Sequence, residues 1–145
     1  MPTVRDMIRK KGTEVFSISP DATVFDALKI MAEHNLGALL VTRGKAVEGI
    51  LSERDCVRKL DLEGRNARTA KVKEIMTSKV LYIEANRPLE ECMALMIEKN
   101  IRHLPVYDED KLLGLVSVRD VLKEVVDAQQ YMISHLENYI TSSGR

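Results

Sequence analysis

Apolar residues along this chain fall into two rhythms, and the same succession of rhythms occurs twice. Val24, Ala27, Leu28 and Met31 recur at the spacing of one helix face, and so do Leu89, Met93, Met96 and Ile97. Behind each helix come two short runs rich in β-branched residues, 38–42 with 47–51 and then 104–107 with 112–116. Polar links join them, Arg43-Gly44-Lys45 and Asp108-Glu109-Asp110, so each pair predicts a hairpin. Ahead of each helix a short apolar piece, 15–18 or 80–83, runs into the turn-forming residues Pro20-Asp21 or Asn86-Arg87. Pro88 suits the first helical turn, where a missing N–H costs nothing. A final helix opens at Ser52 in one copy and at Ser117 in the other. The predicted unit is β-α-β-β-α, present twice.

The duplication extends to residue identity. Sliding the chain by 65 lays residues 15–60 on 80–125 without a gap, and 11 of the 46 positions are identical, where composition alone gives roughly three. Among them are Asn35/Asn100, Gly49/Gly114, Ser52/Ser117, Arg54/Arg119 and Asp55/Asp120. A lead-in recurs as well, Val4-Arg5-Asp6-Met7-Ile8 resembling Val72-Lys73-Glu74-Ile75-Met76. A unit this short cannot bury enough apolar surface to stand alone, so the copies are expected to pack on each other about an approximate two-fold, with one cleft per copy. The expected fold is α/β (α+β), divided into a first repeat with its lead-in (1–65), a connector with the second repeat (66–126) and a C-terminal helix and tail (127–145). The connector, 61–79, is by composition too charged to be core, and its Gly64-Arg65-Asn66 reads as a turn. Beyond the second repeat Val121, Val125, Met132, Leu136, Tyr139 and Ile140 continue a helical stripe. That stripe must cover its apolar face with its own chain or another subunit, and we read it as a subunit contact.

Composition narrows the function. The 145 residues carry 22 basic and 22 acidic side chains, which argues against a general nucleic-acid binder. With no Trp, two Phe and four Tyr, a base-stacking platform is disfavoured too. The apolar runs are typically four or five residues and at most six (92–97), far short of a membrane span, and no export leader is expected at the start of the sequence. Cys56 and Cys92 lie outside any C-x-x-C spacing and read as reduced core residues. A cytoplasmic protein is expected.

Candidate chemistry sits where each last helix begins, at Ser52-Glu53-Arg54-Asp55 and Ser117-Val118-Arg119-Asp120. One reading is structural: S-x-x-D is close to a capping box, in which the hydroxyl and the acid satisfy each other's backbone N–H. Two features exceed that need. Arg stands at the same place in both copies although a cation disfavours a helix N-terminus, and Gly49 or Gly114 in the preceding strand would let a ligand approach the backbone. Arg beside free helix N–H groups suits an anion, Asp one turn in can accept from a vicinal diol, and a short apolar strand edge can hold a flat base. Diol, phosphate and base together describe a nucleotide.

The duplicated unit with its G-h-h-S-x-R-D ending resembles the tandem cystathionine-β-synthase (CBS) domain pair, or Bateman module, over about residues 4–125, and most closely its small stand-alone forms. The resemblance implies regulatory binding of an adenosine-containing ligand in both clefts, AMP or NAD foremost, with ATP and S-adenosylmethionine also in the class. It implies that Asp55 and Asp120 hold the ribose, that Ser52 and Ser117 lie by ribose or phosphate, and that Arg54 and Arg119 neutralise phosphate. Adenine would be framed by Val15 and Ala38 in one site and by Val80, His103 and Pro105 in the other. It also implies a homodimer of pairs, signalling through shape or assembly to a regulated protein partner. Copy one has Gly37-Ala38-Leu39-Leu40 where copy two has Arg102-His103-Leu104-Pro105, and Glu53 where copy two has Val118. The sites are therefore expected to be unequal, with Arg65, Arg68 or Lys71 available to offset Glu53.

The other candidates read as structure. His34, His103 and His135 have no metal-ligand spacing, the Met residues at 31, 93 and 96 are core filler, and Lys10-Lys11 and Arg58-Lys59 are solvated surface. No P-loop or Rossmann glycine pattern occurs. Against the sensor stand an assembly module with vestigial clefts, whose S-x-R-D motifs only cap helices, and a nucleotide hydrolase, which lacks a nucleophile–base pair and a metal cluster.

Overall fold

The structure, a computed structural model, describes residues 2–12 and 14–143. In chain order its elements are α1 (Val4–Lys11), β1 (Ser17–Ile18), α2 (Val24–His34), β2 (Ala38–Arg43), β3 (Ala46–Ser52) and α3 (Glu53–Cys56), which continues as a π-helical segment, Val57–Asp61. Then follow α4 (Val72–Ile75), β4 (Ile83–Glu84), α5 (Leu89–Lys99), β5 (His103–Asp108), β6 (Lys111–Ser117) and α6 (Val118–Ser143). They form two compact units, Val15–Leu81 and Met1–Glu14 with Tyr82–Arg145.

In the 15–81 unit β1 runs parallel to β2, with α2 as the crossover that a parallel pair requires, and β2 is antiparallel to β3. Leu39, Val41 and Leu51 on one sheet face pack against Val24, Ala27 and Met31 of α2 and against Cys56 and Leu60. The connector completes this core: Ala70, Val72 and Ile75 are fully or almost fully buried in it. This corrects the expectation that 61–79 is too charged to be core. Its charged residues Lys71, Lys73 and Glu74 are exposed while the apolar positions between them turn inward. Backbone hydrogen bonds dock the segment, from Val24 N–H to Ala70 O (3.0 Å), Val72 N–H to Ala22 O (2.9 Å) and Lys73 N–H to Pro20 O (3.0 Å).

The other unit repeats the plan with β4, β5, β6 and α5. Here α1 takes the place that α4 takes in the first. Leu89 N–H reaches Pro2 O (3.1 Å), Val4 N–H reaches Arg87 O (2.9 Å) and Arg5 N–H reaches Ala85 O (2.9 Å). Each bond is the 65- or 68-residue translate of one just named. Val4, Met7 and Ile8 are buried among Ile83, Leu89, Cys92, Leu104 and Val116. The two lead-ins are thus exchanged: residues 4–8 precede the first repeat but pack on the second, and residues 72–76 precede the second but pack on the first. Packing therefore groups the chain differently from the expected division after residue 65.

Matching devices end the matching elements. Asn35 and Asn100 close α2 and α5 in the left-handed conformation, at φ 54° and 51°, which Asn tolerates better than most residues. Pro88 stands one position earlier than expected, as the extended residue before α5. β1 and β4 have two residues each where four were expected. α6 runs unbroken for 26 residues. Val121 is buried, but Met132, Leu136, Tyr139 and Ile140 are exposed. Among the described residues no helix is long and apolar enough to cross a membrane.

Candidate functional site

Strand register delivers both motifs. Ser52 closes β3 opposite Ala38, and Ser117 closes β6 opposite His103, so each motif lies across the ladder from the start of its neighbouring strand. In the first, Ser52 is extended (φ −110°, ψ 160°) and caps α3. Asp55 N–H donates to Ser52 Oγ (3.1 Å), while Asp55 Oδ2 accepts from Ser52 N–H (3.1 Å) and from its hydroxyl (2.9 Å). The capping-box reading therefore holds. The second carboxylate oxygen, Oδ1, lies 3.4 Å from Thr77 Oγ1 and 3.5 Å from Lys59 Nζ. Lys59 also donates to Ile75 O (3.0 Å), tying the motif to the docked α4.

The second motif has the same box, with Asp120 N–H on Ser117 Oγ (3.2 Å) and Ser117 N–H on Asp120 Oδ2 (2.8 Å). Its cation comes from a different element. Lys11, the last residue of α1, places Nζ 2.7 Å from Asp120 Oδ2 and 2.6 Å from Leu115 O. Its neighbour Lys10 pairs with Glu124, a buried acid on α6 (2.7 Å). Burial pushes the Asp120 carboxyl up, but the Lys11 hydrogen bond and charge and the Ser117 bonds outweigh it and hold the group below the usual carboxylate range. Both carboxylates are turned onto their own backbone, which by itself favours the cap over the diol.

The model of the CBS domain matches residues 4–62 and 72–127. The chain belongs to the CBS domain family. It is 35% identical to the mitochondrial CBS domain-containing protein CBSX3 of Arabidopsis thaliana, over 95% of this chain and 71% of that one. Among solved structures it resembles a CBS-domain protein of Burkholderia ambifaria MC40-6 at 43% identity and a TM-score of 0.85, over 88% and 96% of the two chains. The CBS domain pair of protein MJ0100, solved with 5′-methylthioadenosine and S-adenosyl-L-methionine, shares the fold at 21% identity and a TM-score of 0.76, over 88% and 98%.

The remaining residues expected of a CBS site fall out as follows. Arg54 is half-buried and Arg119 exposed, and among the described residues neither enters an ion pair. Ala38 and Pro105 are buried within their strands, and His103 and Val15 are half-buried. Val80, expected beside His103 and Pro105, lies in the other compact unit, with residues 15–81. Arg65 is held between Glu63 (3.1 Å) and Glu74 (2.9 Å), and Arg68 sits 4.1 Å over the Phe25 ring, so both charges serve local structure. Lys71 is exposed, and its backbone bridges to Thr23. Gly49 is corrected: a Cβ there would lie 2.8 Å from Met76 Sδ and from Thr77 O, so the close approach belongs to the connector and not to a ligand.

Lys10 and Lys11 are exposed and Lys59 half-buried, close to the surface expected of them, but each also holds an acid at or beside a motif. The signal available in the sequence was the recurrence of the lead-in itself, which shows that both stretches meet equivalent partners. Cys56 and Cys92 are buried free thiols, each pushed up to about 11, chiefly by burial, so neither is a nucleophile near neutral pH. Among the described residues no three His, Cys, Asp or Glu side chains gather to hold a metal.

Proposed function

We propose that this chain is a regulatory module that binds adenosine-containing ligands at its two S-x-R-D motifs, AMP or NAD foremost, and signals by a change of shape or assembly as a homodimer in the cytoplasm. Asp55 and Asp120 take the ribose hydroxyls, Ser52 and Ser117 lie beside them, and Arg54 and Arg119 meet phosphate. The observation that carries the reading is the unspent arginine. Ser and Asp already satisfy each cap, yet both motifs add a guanidinium that pairs with no acid among the described residues. A fold needs no cation at that place, whereas an anionic ligand does. The MJ0100 complex with two adenosine compounds supports the ligand class.

Calorimetric titration with adenosine, AMP, ATP, NAD and S-adenosylmethionine tests it. Arg54→Ala and Arg119→Ala, which leave both caps intact, should weaken AMP about tenfold per site while leaving adenosine unchanged, as expected for loss of a charge-assisted bond. The inward-turned carboxylates favour one competing reading, an assembly module without ligand. A ligand at 100 times its Kd stabilises a protein by about 2.7 kcal/mol, so a melting temperature indifferent to millimolar amounts of all five compounds establishes that reading instead.

A further inference from the structure

The acid assigned to the ribose in the second motif is already occupied by a cation from elsewhere in the chain. Asp120 Oδ2 takes Ser117 N–H at 2.8 Å and Lys11 Nζ at 2.7 Å. The Lys11 and Asp120 side chains retain only 35% and 24% of their exposure. Two donors on one oxygen fill its lone pairs, so a diol seeking a bidentate grip on this carboxylate meets the ammonium first. Lys11 has somewhere else to go: it is half-exposed, and it keeps Leu115 O at 2.6 Å as a second acceptor. In the first motif Oδ2 of Asp55 is filled by its own cap, from Ser52 N–H and hydroxyl, and the lysine, Lys59, stands farther off at 3.5 Å from Oδ1, on the helical segment that the motif itself opens.

Position along the chain gives the contact a consequence. Lys11 ends α1, Gly12 follows with φ +102° and no neighbour for a Cβ within 4 Å, and the chain enters the other compact unit at Val15. The rest of α1 has its own anchors, namely the Thr3–Asp6 capping box, Arg5 on Asp108, Lys10 on Glu124 and the buried Val4, Met7 and Ile8. Losing the Lys11 contacts therefore frees the last turn at Lys11 and Gly12, and leaves the rest of the helix docked.

We propose that Lys11 is a tethered competitor for Asp120: ligand entering the second motif must displace it, and the displacement loosens the end of α1 at Lys11 and Gly12. This rests on the ribose role given to Asp120 under the proposed function. Ligand occupancy is thereby converted into freedom at the end of α1, and the second motif binds more weakly than its own residues would allow.

The test uses the full chain with Lys11→Met and Lys11→Arg, titrated with neutral adenosine and with AMP, while hydrogen exchange is followed at Gly12, whose N–H bonds to Ile8 O at 3.0 Å. Lys11→Met should tighten adenosine at one site about tenfold, the scale of one hydrogen bond to a charged group, and Lys11→Arg should stay near wild type. Gly12 should exchange faster on adding AMP to wild type, and should be fast already, without further response, in Lys11→Met. Unchanged or weaker adenosine binding by Lys11→Met, with wild type still binding AMP, overturns the competitor role alone. Absence of nucleotide binding by every form overturns the ribose role and this inference with it. The anchors kept by α1 ensure that Lys11→Met is folded when measured.

Discussion

The two halves share a sheet order, a helix cap and a motif, yet they fasten their lead-in helices with opposite charge patterns. In the first half the cation sits on the segment that follows the motif: Lys59 reaches Asp55 and the carbonyl of Ile75 on α4. In the second half the position 65 residues on is Glu124, and the cations sit on the lead-in, Lys10 facing Glu124 and Lys11 facing Asp120. One architectural need, holding a short helix against the start of another, is met by two sets of residues with the sign reversed at one aligned position. A duplicated fold thus conserves the contact while changing which element supplies the charge. That choice decides whether the cation facing the motif's acid comes from its own segment or from a distant one.

Exchanging charge across this position breaks the comparison most severely. Glu124 is 6% exposed, so Glu124→Lys sets a buried ammonium against Lys10 and should cost about 2–3 kcal/mol in denaturant unfolding, less than the roughly 3–5 kcal/mol for breaking a fully buried pair because Lys10 is largely exposed. Adding Lys10→Glu restores an opposite-charge pair in the reversed sense and should recover at least half of the loss. In the first half Lys59→Glu places an acid one turn from Asp55, yet the lysine it removes is 37% exposed, so the cost should be nearer 1 kcal/mol. Equal losses for Glu124→Lys and Lys59→Glu would show that burial does not distinguish the two fastenings.

Much of this arrangement was legible in the chain, for reasons that can be named. Strands, hairpins and helices follow from local periodicity, and each was seen twice in independent contexts, so Asn35 with Asn100 and Ser52 with Ser117 could be read as recurring needs of the backbone. The capping boxes are contacts three residues apart and were equally readable. The exchange of lead-ins was not, because residues 4–8 pack on a core built from residues more than 70 positions away, and periodicity carries no such information. For the same reason Lys10 and Lys11, two adjacent basic residues on a short helix, looked like solvated surface. Their acids lie 114 and 109 residues away. Gly49 does mark a close approach, but the neighbour is the chain's own Met76 and Thr77 and not a ligand. The connector's charge, averaged over 19 residues, hides burial that is decided at Ala70, Val72 and Ile75 one at a time.

Acid sharpens the comparison at the motif itself. The folded Asp120 carboxyl is depressed, with Lys11 and Ser117 overcoming the burial that would raise it. A depressed carboxylate contributes stability that is complete above the unfolded aspartate value and is lost as pH falls through the folded one. Wild type should therefore exceed Lys11→Met by about 1 kcal/mol at pH 6 in urea unfolding. The gap should shrink below about pH 4, where unfolded aspartate takes up its proton, and vanish once Asp120 itself is neutral. Titratable neighbours on the packed elements, Lys10 and Glu124, are present in both proteins and cancel in the difference. A gap that stays constant from pH 6 to pH 2 would show that Lys11 stabilises through Leu115 O or packing, and not through the carboxylate.

The smallest expected effect lies at the hairpin turns, where glycine in one half and glutamate in the other hold the same left-handed conformation. Gly44 turns the β2–β3 hairpin at φ +62°, and the aligned residue between β5 and β6 is Glu109 at φ +56°. An L-residue in that region costs roughly 1–2 kcal/mol over glycine in steric terms, partly offset by the greater freedom glycine loses on folding. Glu109→Gly should accordingly stabilise the chain by about 0.5–1 kcal/mol. The hydrogen bond from the residue 109 backbone N–H to Glu84 Oε2, 3.3 Å, survives the change because it involves no Glu109 side-chain atom. The reverse substitution, Gly44→Ala, meets no atom within 4 Å, so any loss it causes reports backbone conformation alone and should be of similar size and opposite sign. If both changes are neutral in thermal melts, the left-handed turn is no burden to Glu109, and the duplicated hairpins are equivalent despite their different residues.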